Sequence, residues 1–542
     1  MHTPLPRNPP YRAMIVAPQP EAVDTGAEIL AVGGNAVDAA IAAALVQGVV
    51  DPLMCGIGGM AVIQIVTPDG ERHIIDGLGS SPSGVTDDMW LPKFLGVSDD
   101  GFNYLLEGMV NEAGPQAVAT PGSLRAWHRA HELHGSLPWK DLFTHAIRIA
   151  RRWVWRPHNF GMAAPTVPDS RIMGIGDKLG LTPDGARIYL DADGNRPQIG
   201  TAIENPELAE TLAVIAAQGV EAFYSGEIAG IIDESMRRDG GVLRKVDLEE
   251  YALLEPEPVT GTFRGLTVSV PPPAAGGVQT MQTLALMDRF DFSGLDHNSP
   301  EHIRILTEAQ KYALADKERL WSSADAARAD YEALLDTAYL DSLAARIRAG
   351  EKADVETARY ESPDTTHLNV MDDSGFTVSM THTLGTPSGY IPTGTGFMLN
   401  GAMATFDPRP GRANSLAPGR RRNTTMTPTV VLDGDTPVVA IGAPGAAWIT
   451  PAIAQGLSNI LDFGMTAQEA VMAPRAVATS NAIDISNAVP RRTQLALEAQ
   501  GFTVRRSPLT YAFAGVHAIT RFDGRFAGGA DPQRDGYVAG VK

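Results

Sequence analysis

Thr365 stands where a charged linker, GEKADVETARYESPD (350–364), gives way to a strand-rich region. A threonine there becomes a new N-terminus if the chain cuts itself between Asp364 and Thr365. It then carries nucleophile and base together, because an α-amine with a pKa of about 7.7–8.0 accepts the hydroxyl proton near neutral pH. The chemistry predicted is amide hydrolysis or acyl transfer without metal or cofactor. Taken alone, residues 364–368 also fit an ordinary junction between a loop and a Thr-rich strand.

The residues after Thr365 predict the strands that would hold it. Segments 367–372 and 376–384 read as β-strands, and so do 429–433 and 437–442. The earlier part of the chain reads mostly as helices rich in Ala and Leu. A helical half followed by a strand-rich half favours an α+β fold over alternating βαβ units.

One predicted helix, AVDAAIAAALVQGVV (36–50), is small and apolar on nearly every face and begins after Asn35. Such a helix is expected to be buried in a tight interface. It leads to the glycines of MCGIGGM (54–60), which form either an anion-binding nest or a tight turn into the strand at 61–66. The sequence leaves both interpretations open.

Composition excludes several classes of partner. The formal charge of −19 argues against nucleic acid or an anionic membrane. With Cys55 as the single cysteine, no intramolecular disulfide or cysteine-based metal cluster can form. No run of 18 apolar residues predicts a membrane helix, and prolines interrupt residues 1–22 where a signal peptide needs an apolar core. We expect a soluble, cytoplasmic protein that acts on a small molecule.

Histidines offer a second chemical signal. His128, His131 and His134 lie on one predicted helix, but their spacing does not make the HExxH metal motif, so a solvated helix face is expected. His367 follows Thr365 by two positions and either lines a site or points away from it.

The chain resembles the γ-glutamyltranspeptidase family of N-terminal-nucleophile hydrolases over nearly its whole length. The motifs that carry the resemblance occur in order at GGNAVDAAIAAAL (33–45), GIGGM (56–60), TPGS (120–123), PPPAAGGV (271–278), EAQKYALAD (308–316), DTTHLNVMDDSG (364–375), PGRRRNTTMTPTV (418–430) and GAPGAA (442–447). The resemblance implies a four-layer αββα sandwich of the α+β class. It also implies a precursor that cuts itself into a large chain, 1–364, and a small chain, 365–542, which stay together as one domain.

The resemblance assigns catalytic roles to four residues. Thr365 is the nucleophile in self-cleavage and in turnover, and Thr383 hydrogen-bonds its α-amino group. Without the family, the favoured interpretation of Thr383 is an ordinary strand residue. Backbone N–H groups of Gly445 and Ala446 would face the developing oxyanion, although the family usually has glycine at the second position.

Substrate-binding positions depart from the family pattern. Thr424 and Thr425 replace two serines that bind the substrate carboxylate, so hydroxyls are retained. Leu78 stands where the family has an arginine for the α-carboxylate of a γ-glutamyl group. Thr405 stands where it has an acidic residue for the α-amino group. Since both charged anchors are missing, we expect retained catalytic machinery with an altered substrate.

Arg422, the last residue of the run Arg420-Arg421-Arg422, is a candidate to bind a carboxylate bidentately, and a solvated basic loop is the alternative. The sequence thus predicts a self-processing threonine amidohydrolase or acyltransferase that cleaves a small acyl amide. One rival is a genuine γ-glutamyl hydrolase or transpeptidase acting on glutathione. A second rival is an uncleaved, inactive relative that serves as a binding scaffold. A homo-oligomer is compatible with each.

Overall fold

The structure is a computed structural model that describes residues 11–98, 104–167, 170–321, 328–355, 365–412 and 414–542. Two six-stranded antiparallel sheets lie face to face at its centre, and helices cover the outer face of each. The predicted α+β class and αββα sandwich are therefore confirmed. No helix in the described ranges is both long enough and apolar enough to cross a membrane.

The strands, in chain order, are β1 (Ala13–Pro18), β2 (Met60–Val66), β3 (Arg72–Gly77), β4 (Phe94–Val97), β5 (Tyr104–Leu106), β6 (Trp153–Val154), β7 (Ala202–Ile203), β8 (Val259–Phe263), β9 (Leu266–Val270), β10 (Thr366–Asp372), β11 (Thr377–Thr383), β12 (Thr429–Asp433), β13 (Thr436–Gly442), β14 (Ala476–Val477), β15 (Ile483–Ile485), β16 (Val504–Arg506), β17 (His517–Phe522), β18 (Arg525–Ala530) and β19 (Gly536–Val541). The first large sheet has the order β19-β1-β10-β11-β2-β3, and the second has the order β18-β17-β13-β12-β9-β8. The remaining strands form small sheets at the periphery, β4-β5, β6-β7 and β14-β15-β16.

The helices are α1 (Pro20–Ala31), α2 (Ala36–Val50), α3 (Ser123–His134), α4 (Thr144–Ala150), α5 (Pro157–Met162), α6 (Ile175–Lys178), α7 (Pro183–Tyr189), α8 (Pro206–Gln218), α9 (Glu221–Tyr224), α10 (Glu227–Asp239), α11 (Lys245–Glu249), α12 (Gly277–Met287), α13 (Pro300–Trp321), α14 (Arg328–Leu334), α15 (Thr337–Arg348), α16 (Ile449–Leu461), α17 (Ala467–Met472) and α18 (Arg491–Ala499). Helices α1, α2 and α3 pack on the first sheet. Helices α12, α16 and α17 pack on the second.

Helix α2 forms the central support of the first sheet. Asn35 caps it by accepting hydrogen bonds from the Val37 and Asp38 N–H groups, and the Asp38 carboxylate accepts one from the Asn35 N–H. Every residue of the helix except Gly48 is buried, as its apolar sequence predicts. The glycines that follow make a close-packed turn, since a Cβ on Gly59 would lie 2.4 Å from the Thr383 carbonyl oxygen.

Strands β10 and β11 form the hairpin that carries the candidate nucleophile. Thr366 pairs with His382 in the antiparallel register, which places Thr365 beside Thr383 at the open end. Side chains alternate between the two faces of a strand. Thr365 and Thr383 therefore face the second sheet, whereas Thr366 and His382 face helix α2.

Both sheets contain strands from each side of the predicted cleavage site. In the first sheet β1, β2 and β3 precede residue 364, whereas β10, β11 and β19 follow it. In the second sheet β8 and β9 precede it and four strands follow. Two fragments cut at this point would share both sheets. Asp364 lies outside the described residues, so the cut and the chain boundaries 1–364 and 365–542 stay predictions.

Candidate active site

The hydroxyls of Thr365 and Thr383 are neighbours. Their Oγ1 atoms lie 3.2 Å apart, and the N–H of Gly385 donates to Thr383 Oγ1 at 2.8 Å. Both threonines are buried, with 7% and 2% of their surface exposed. The structure therefore brings together the two residues for which the sequence predicts nucleophile and partner. Their catalytic roles remain predictions.

The turn after β13 lies at the same end of the two sheets. Gly442, the last residue of β13, packs so closely on His367 that a Cβ there would lie 2.1 Å from the imidazole Cε1. Gly445 has a φ of 137° and Ala446 a φ of 57°, both in the left-handed region that favours glycine. Within the described part of the chain, neither residue's N–H donates a hydrogen bond, so both remain free to bind an incoming oxygen.

Thr424 and Thr425 connect this turn to the loop after β9. The Thr425 hydroxyl donates to the Ala446 carbonyl oxygen at 2.9 Å, and the Thr424 N–H donates to the Ala274 carbonyl oxygen, also at 2.9 Å. A Cβ on Gly276 would lie 2.6 Å from the Thr425 carbonyl oxygen. Both predicted substrate-binding threonines thus border the candidate oxyanion turn. Their substrate-binding role stays a prediction.

Leu78 occupies an apolar environment where the resemblance places a cation. It is fully buried in a group that we call the Leu78 cluster, which includes Met60, Leu78, Ala402, Met403, Phe406 and Met426. Its carbonyl oxygen accepts hydrogen bonds from the Tyr251 hydroxyl at 2.8 Å and from Arg421 Nη1 at 3.1 Å. The side chain at this position is apolar, packed and uncharged.

The three consecutive arginines have different environments. Arg420 donates to the Ser415 carbonyl oxygen at 2.8 Å, and Arg421 forms an ion pair with the buried Asp76 at 3.3 Å. Burial raises the pKa of Asp76, and Arg421 partly offsets that effect. Arg422 is only 4% exposed. The alternative of a solvated basic loop is therefore wrong for Arg422.

Arg422 lies next to the candidate nucleophile pair. Its Nε donates to the Thr405 hydroxyl at 3.2 Å, and a Cβ on Gly385 would lie 2.5 Å from its Nη1. Gly385 is also the residue whose N–H holds Thr383. A continuous series of contacts therefore runs from Thr365 to Thr405. Gly385 was missed in the sequence analysis, although a glycine two residues after Thr383, here with a φ of 79°, was the available signal.

His367 is a core residue. It is fully buried between the sheets, and its Nδ1 lies 2.9 Å from the Thr381 hydroxyl. Burial, with a smaller contribution from His517, lowers the pKa of His367 to about 3. The imidazole is therefore neutral at physiological pH, and it supports the strand below Thr365.

The prediction of a solvated histidine face on α3 is wrong. His128 and His131 pack against the ring of Trp139 with centroid distances of 5.1 and 5.3 Å. His131 Nε2 also lies 2.7 Å from the Leu137 carbonyl oxygen, and the ring of His134 contacts His73. Leu137 and Trp139 lie in the segment directly after α3, and His73 lies in β3, so helical spacing alone does not show these contacts. Among the residues described, no three His, Cys, Asp or Glu side chains are grouped to hold a metal ion.

Comparison with known proteins gives a consistent result. The family model described as Gamma-glutamyltranspeptidase matches residues 22–541. The Acylase ACY 1 proenzyme of Pseudomonas sp. (strain V22) is 35% identical over 97% of this chain and 93% of its own. The Glutathione hydrolase proenzyme of Bacillus subtilis (strain 168) is 29% identical over 97% and 91%. The crystal structure of a cephalosporin acylase from Bacillus halodurans superimposes with a TM-score of 0.83 at 26% identity, covering 100% of this chain and 98% of that one.

Proposed function

This chain belongs to the gamma-glutamyltranspeptidase family and is an enzyme of amide hydrolysis or acyl transfer; on that basis we propose that Thr365 is its nucleophile, released by a cut after Asp364. Two relatives are named proenzymes, which supports processing of one precursor into two chains. The observation that carries the proposal is the 3.2 Å contact of Thr365 with Thr383 at the start of β10.

Acylation begins at the Thr365 hydroxyl. Its oxygen attacks the carbonyl carbon of the substrate amide while the α-amine of the same residue takes the hydroxyl proton. The carbonyl oxygen becomes an oxyanion, which the N–H groups of Gly445 and Ala446 stabilise; loss of one such donor typically costs about 10²–10³ in rate. The α-ammonium then gives its proton to the leaving nitrogen, the C–N bond breaks, and an ester on Thr365 remains.

Deacylation repeats these steps with a different nucleophile. Water, or an acceptor amine, gives a proton to the α-amine and attacks the ester carbonyl. The new oxyanion uses the same two N–H groups. When it collapses, the bond to Thr365 Oγ breaks, the hydroxyl regains its proton, and the acid or new amide leaves. Before each attack Thr383 holds the free Thr365 hydroxyl in one orientation, because the Gly385 N–H fixes the Thr383 oxygen.

We propose that the substrates are monoamides of short dicarboxylic acids. The buried Arg422 supplies a cation for the distal carboxylate, and the Leu78 cluster, whose Met60 Sδ lies 3.6 Å from Arg422 Nη1, surrounds that cation with uncharged side chains. Thr405 presents a hydroxyl where an acid would attract an ammonium group. A γ-glutamyl group would bring its α-ammonium close to the guanidinium, and like charges repel at such distances. The relatives named acylases support this preference over glutathione.

Three anilides with the same leaving group test the proposal. Glutaryl and γ-glutamyl anilides differ only by the α-amino group, and pentanoyl anilide lacks the carboxylate. We expect two fragments on a denaturing gel and a kcat/KM for the glutaryl compound about 10- to 100-fold above that for the γ-glutamyl compound. Equal or faster turnover of the γ-glutamyl anilide refutes the substrate assignment. An intact chain without activity supports the scaffold alternative.

A further inference from the structure

Gln47 contacts the candidate site from the outer side of the first sheet. It lies near the end of α2 and is fully buried. Its Nε2 donates to the Thr366 hydroxyl at 3.0 Å, and its Oε1 accepts from His382 Nε2 at 2.9 Å. Thr366 and His382 are opposite partners in the β10–β11 ladder. They are also the chain neighbours of Thr365 and Thr383.

Further hydrogen bonds fix the orientation of the Gln47 amide. Its Nε2 also donates to Gln19 Oε1 at 3.1 Å, and Gln19 Nε2 in turn donates to Asp51 Oδ2 at 2.6 Å. Acceptors therefore surround the NH2 end, while the carbonyl end meets the His382 donor. Burial lowers the pKa of His382 to about 3, which keeps the ring neutral with its proton on Nε2.

The position of these bonds matters because β10 begins at Thr366. Once the chain is cut before Thr365, that residue becomes a terminus, and termini lose order unless something holds them. A buried polar group that loses its hydrogen-bond partner destabilises the folded state, so each of these buried bonds opposes fraying of the strand ends. Gln47 holds both strands immediately beside the terminus.

We propose that Gln47 is a positioning residue for the nucleophile: by joining Thr366 to His382 it holds the Thr365 and Thr383 hydroxyls in register. This inference rests on the proposed function of Thr365. It adds a residue that does not touch the substrate and acts through the strands on the opposite face of the sheet.

Gln47→Met tests the inference, because it keeps side-chain length and removes the hydrogen bonds. Gln455→Met is the matched control, since Gln455 is also fully buried on a helix, α16, and accepts from the Ala476 N–H at 3.0 Å in the opposite outer layer. We expect Gln47→Met to lower kcat of the matured enzyme at least about 10-fold, with KM within about 2-fold. Gln455→Met should lower Tm comparably and leave kcat within about 2-fold.

Thr366→Val provides a second variant that is less disruptive to folding. It preserves shape and removes only the bond from Gln47, so kcat should fall in the same direction. The double variant should be no slower than Gln47→Met alone, because both changes break one link. The inference is overturned if kcat is unchanged in Gln47→Met and Thr366→Val, or if Gln455→Met loses as much kcat as Gln47→Met. In either case a wild type that is cleaved and active leaves the proposed function intact. An uncleaved wild type or a fully active Thr365→Ala overturns the proposed function as well.

Discussion

Arg422 donates a hydrogen bond to the Thr405 hydroxyl at 3.2 Å, beside the glycine that holds Thr383. Residue 405 therefore presents a hydroxyl to the guanidinium instead of the carboxylate that the family pattern provides. Leu78, where the same pattern has an arginine, is buried in apolar surroundings. The resemblance thus implies a site with one cation and one anion fewer than the family pattern, and we propose Arg422, next to the nucleophile pair, as its cation.

Arg422→Leu should reduce turnover of acyl groups that carry a carboxylate. A hydrogen bond to a charged group contributes about 1.5–3 kcal/mol, which corresponds to about 10- to 150-fold in kcat/KM for glutaryl anilide. Pentanoyl anilide, which lacks the carboxylate, should react within about 3-fold of the wild-type rate. Equal losses for both substrates would show that Arg422 is structural.

Thr405→Asp should shift the preference towards γ-glutamyl substrates. A carboxylate at residue 405 would pair with Arg422 and attract the α-ammonium group that the wild-type site repels. We expect the ratio of kcat/KM for γ-glutamyl to glutaryl anilide to rise at least about 10-fold. Thr405→Asn, which has the same shape without charge, is the control. An unchanged ratio in Thr405→Asp would contradict the assignment of this position.

The turn at Gly445 and Ala446 should respond oppositely to two substitutions. Ala446→Gly relieves a left-handed residue and should raise stability by about 1 kcal/mol, with kcat within about 3-fold because the N–H is kept. Gly445→Ala should abolish activity, since its Cβ would lie 2.5 Å from Ala514 Cα. Thermal denaturation and initial rates measure both effects. Large activity loss in Ala446→Gly would argue against backbone N–H groups as the oxyanion donors.

Stability should fall as pH drops from about 6.5 towards 3. Burial lowers the pKa of four histidines to about 3, namely His302, His367, His382 and His517. Below pH 6.5 the unfolded chain protonates these rings while the native state does not, so each favours unfolding by about 1.4 kcal/mol per pH unit. The contribution of these neutral histidines to the free energy of unfolding is fully present only above about pH 6.5. Burial raises the pKa of Asp76 and Glu112, which act in the opposite sense.

Denaturant titrations between pH 7 and 4 measure this dependence. The variant His302→Asn keeps an acceptor near the Nδ1 position, which receives the Asn298 N–H at 3.0 Å, and removes one titrating ring. The slope of its unfolding free energy against pH should be smaller than that of the wild type by an amount equivalent to about one proton. Identical slopes would show that the native His302 binds protons as readily as the unfolded chain.

Local sequence patterns predicted several of the strands and helices that surround the site. The predicted strand at 429–433 coincides with β12, and the predicted helix at 36–50 coincides with α2. The strand patterns after residue 365 are compatible with a contact between Thr383 and Thr365, but the resemblance, and not the alternation, predicted that contact. The pairing of β1 with β10 and β19 joins segments hundreds of residues apart, which local patterns cannot predict. The sandwich was predicted instead from the order of the family motifs along the chain.

The side-chain environment of the site was less accessible to sequence reasoning. Nothing local distinguishes Arg422 from Arg421, since their different environments depend on Thr405 in a short 3-10 helix and on Asp76 in β3. Gln47 was passed over in a helix that reads as uniformly apolar. Its hydrogen bonds arise only when α2 packs on the β10–β11 hairpin.

Intact-mass analysis and N-terminal sequencing of the purified protein, with Thr365→Ala beside it, test the central claim most directly. The account predicts an active wild type made of two fragments, the shorter beginning Thr-Thr-His, and an uncut, inactive variant. An active wild type with the bond between Asp364 and Thr365 intact, or a Thr365→Ala protein that still turns over substrate, would contradict it.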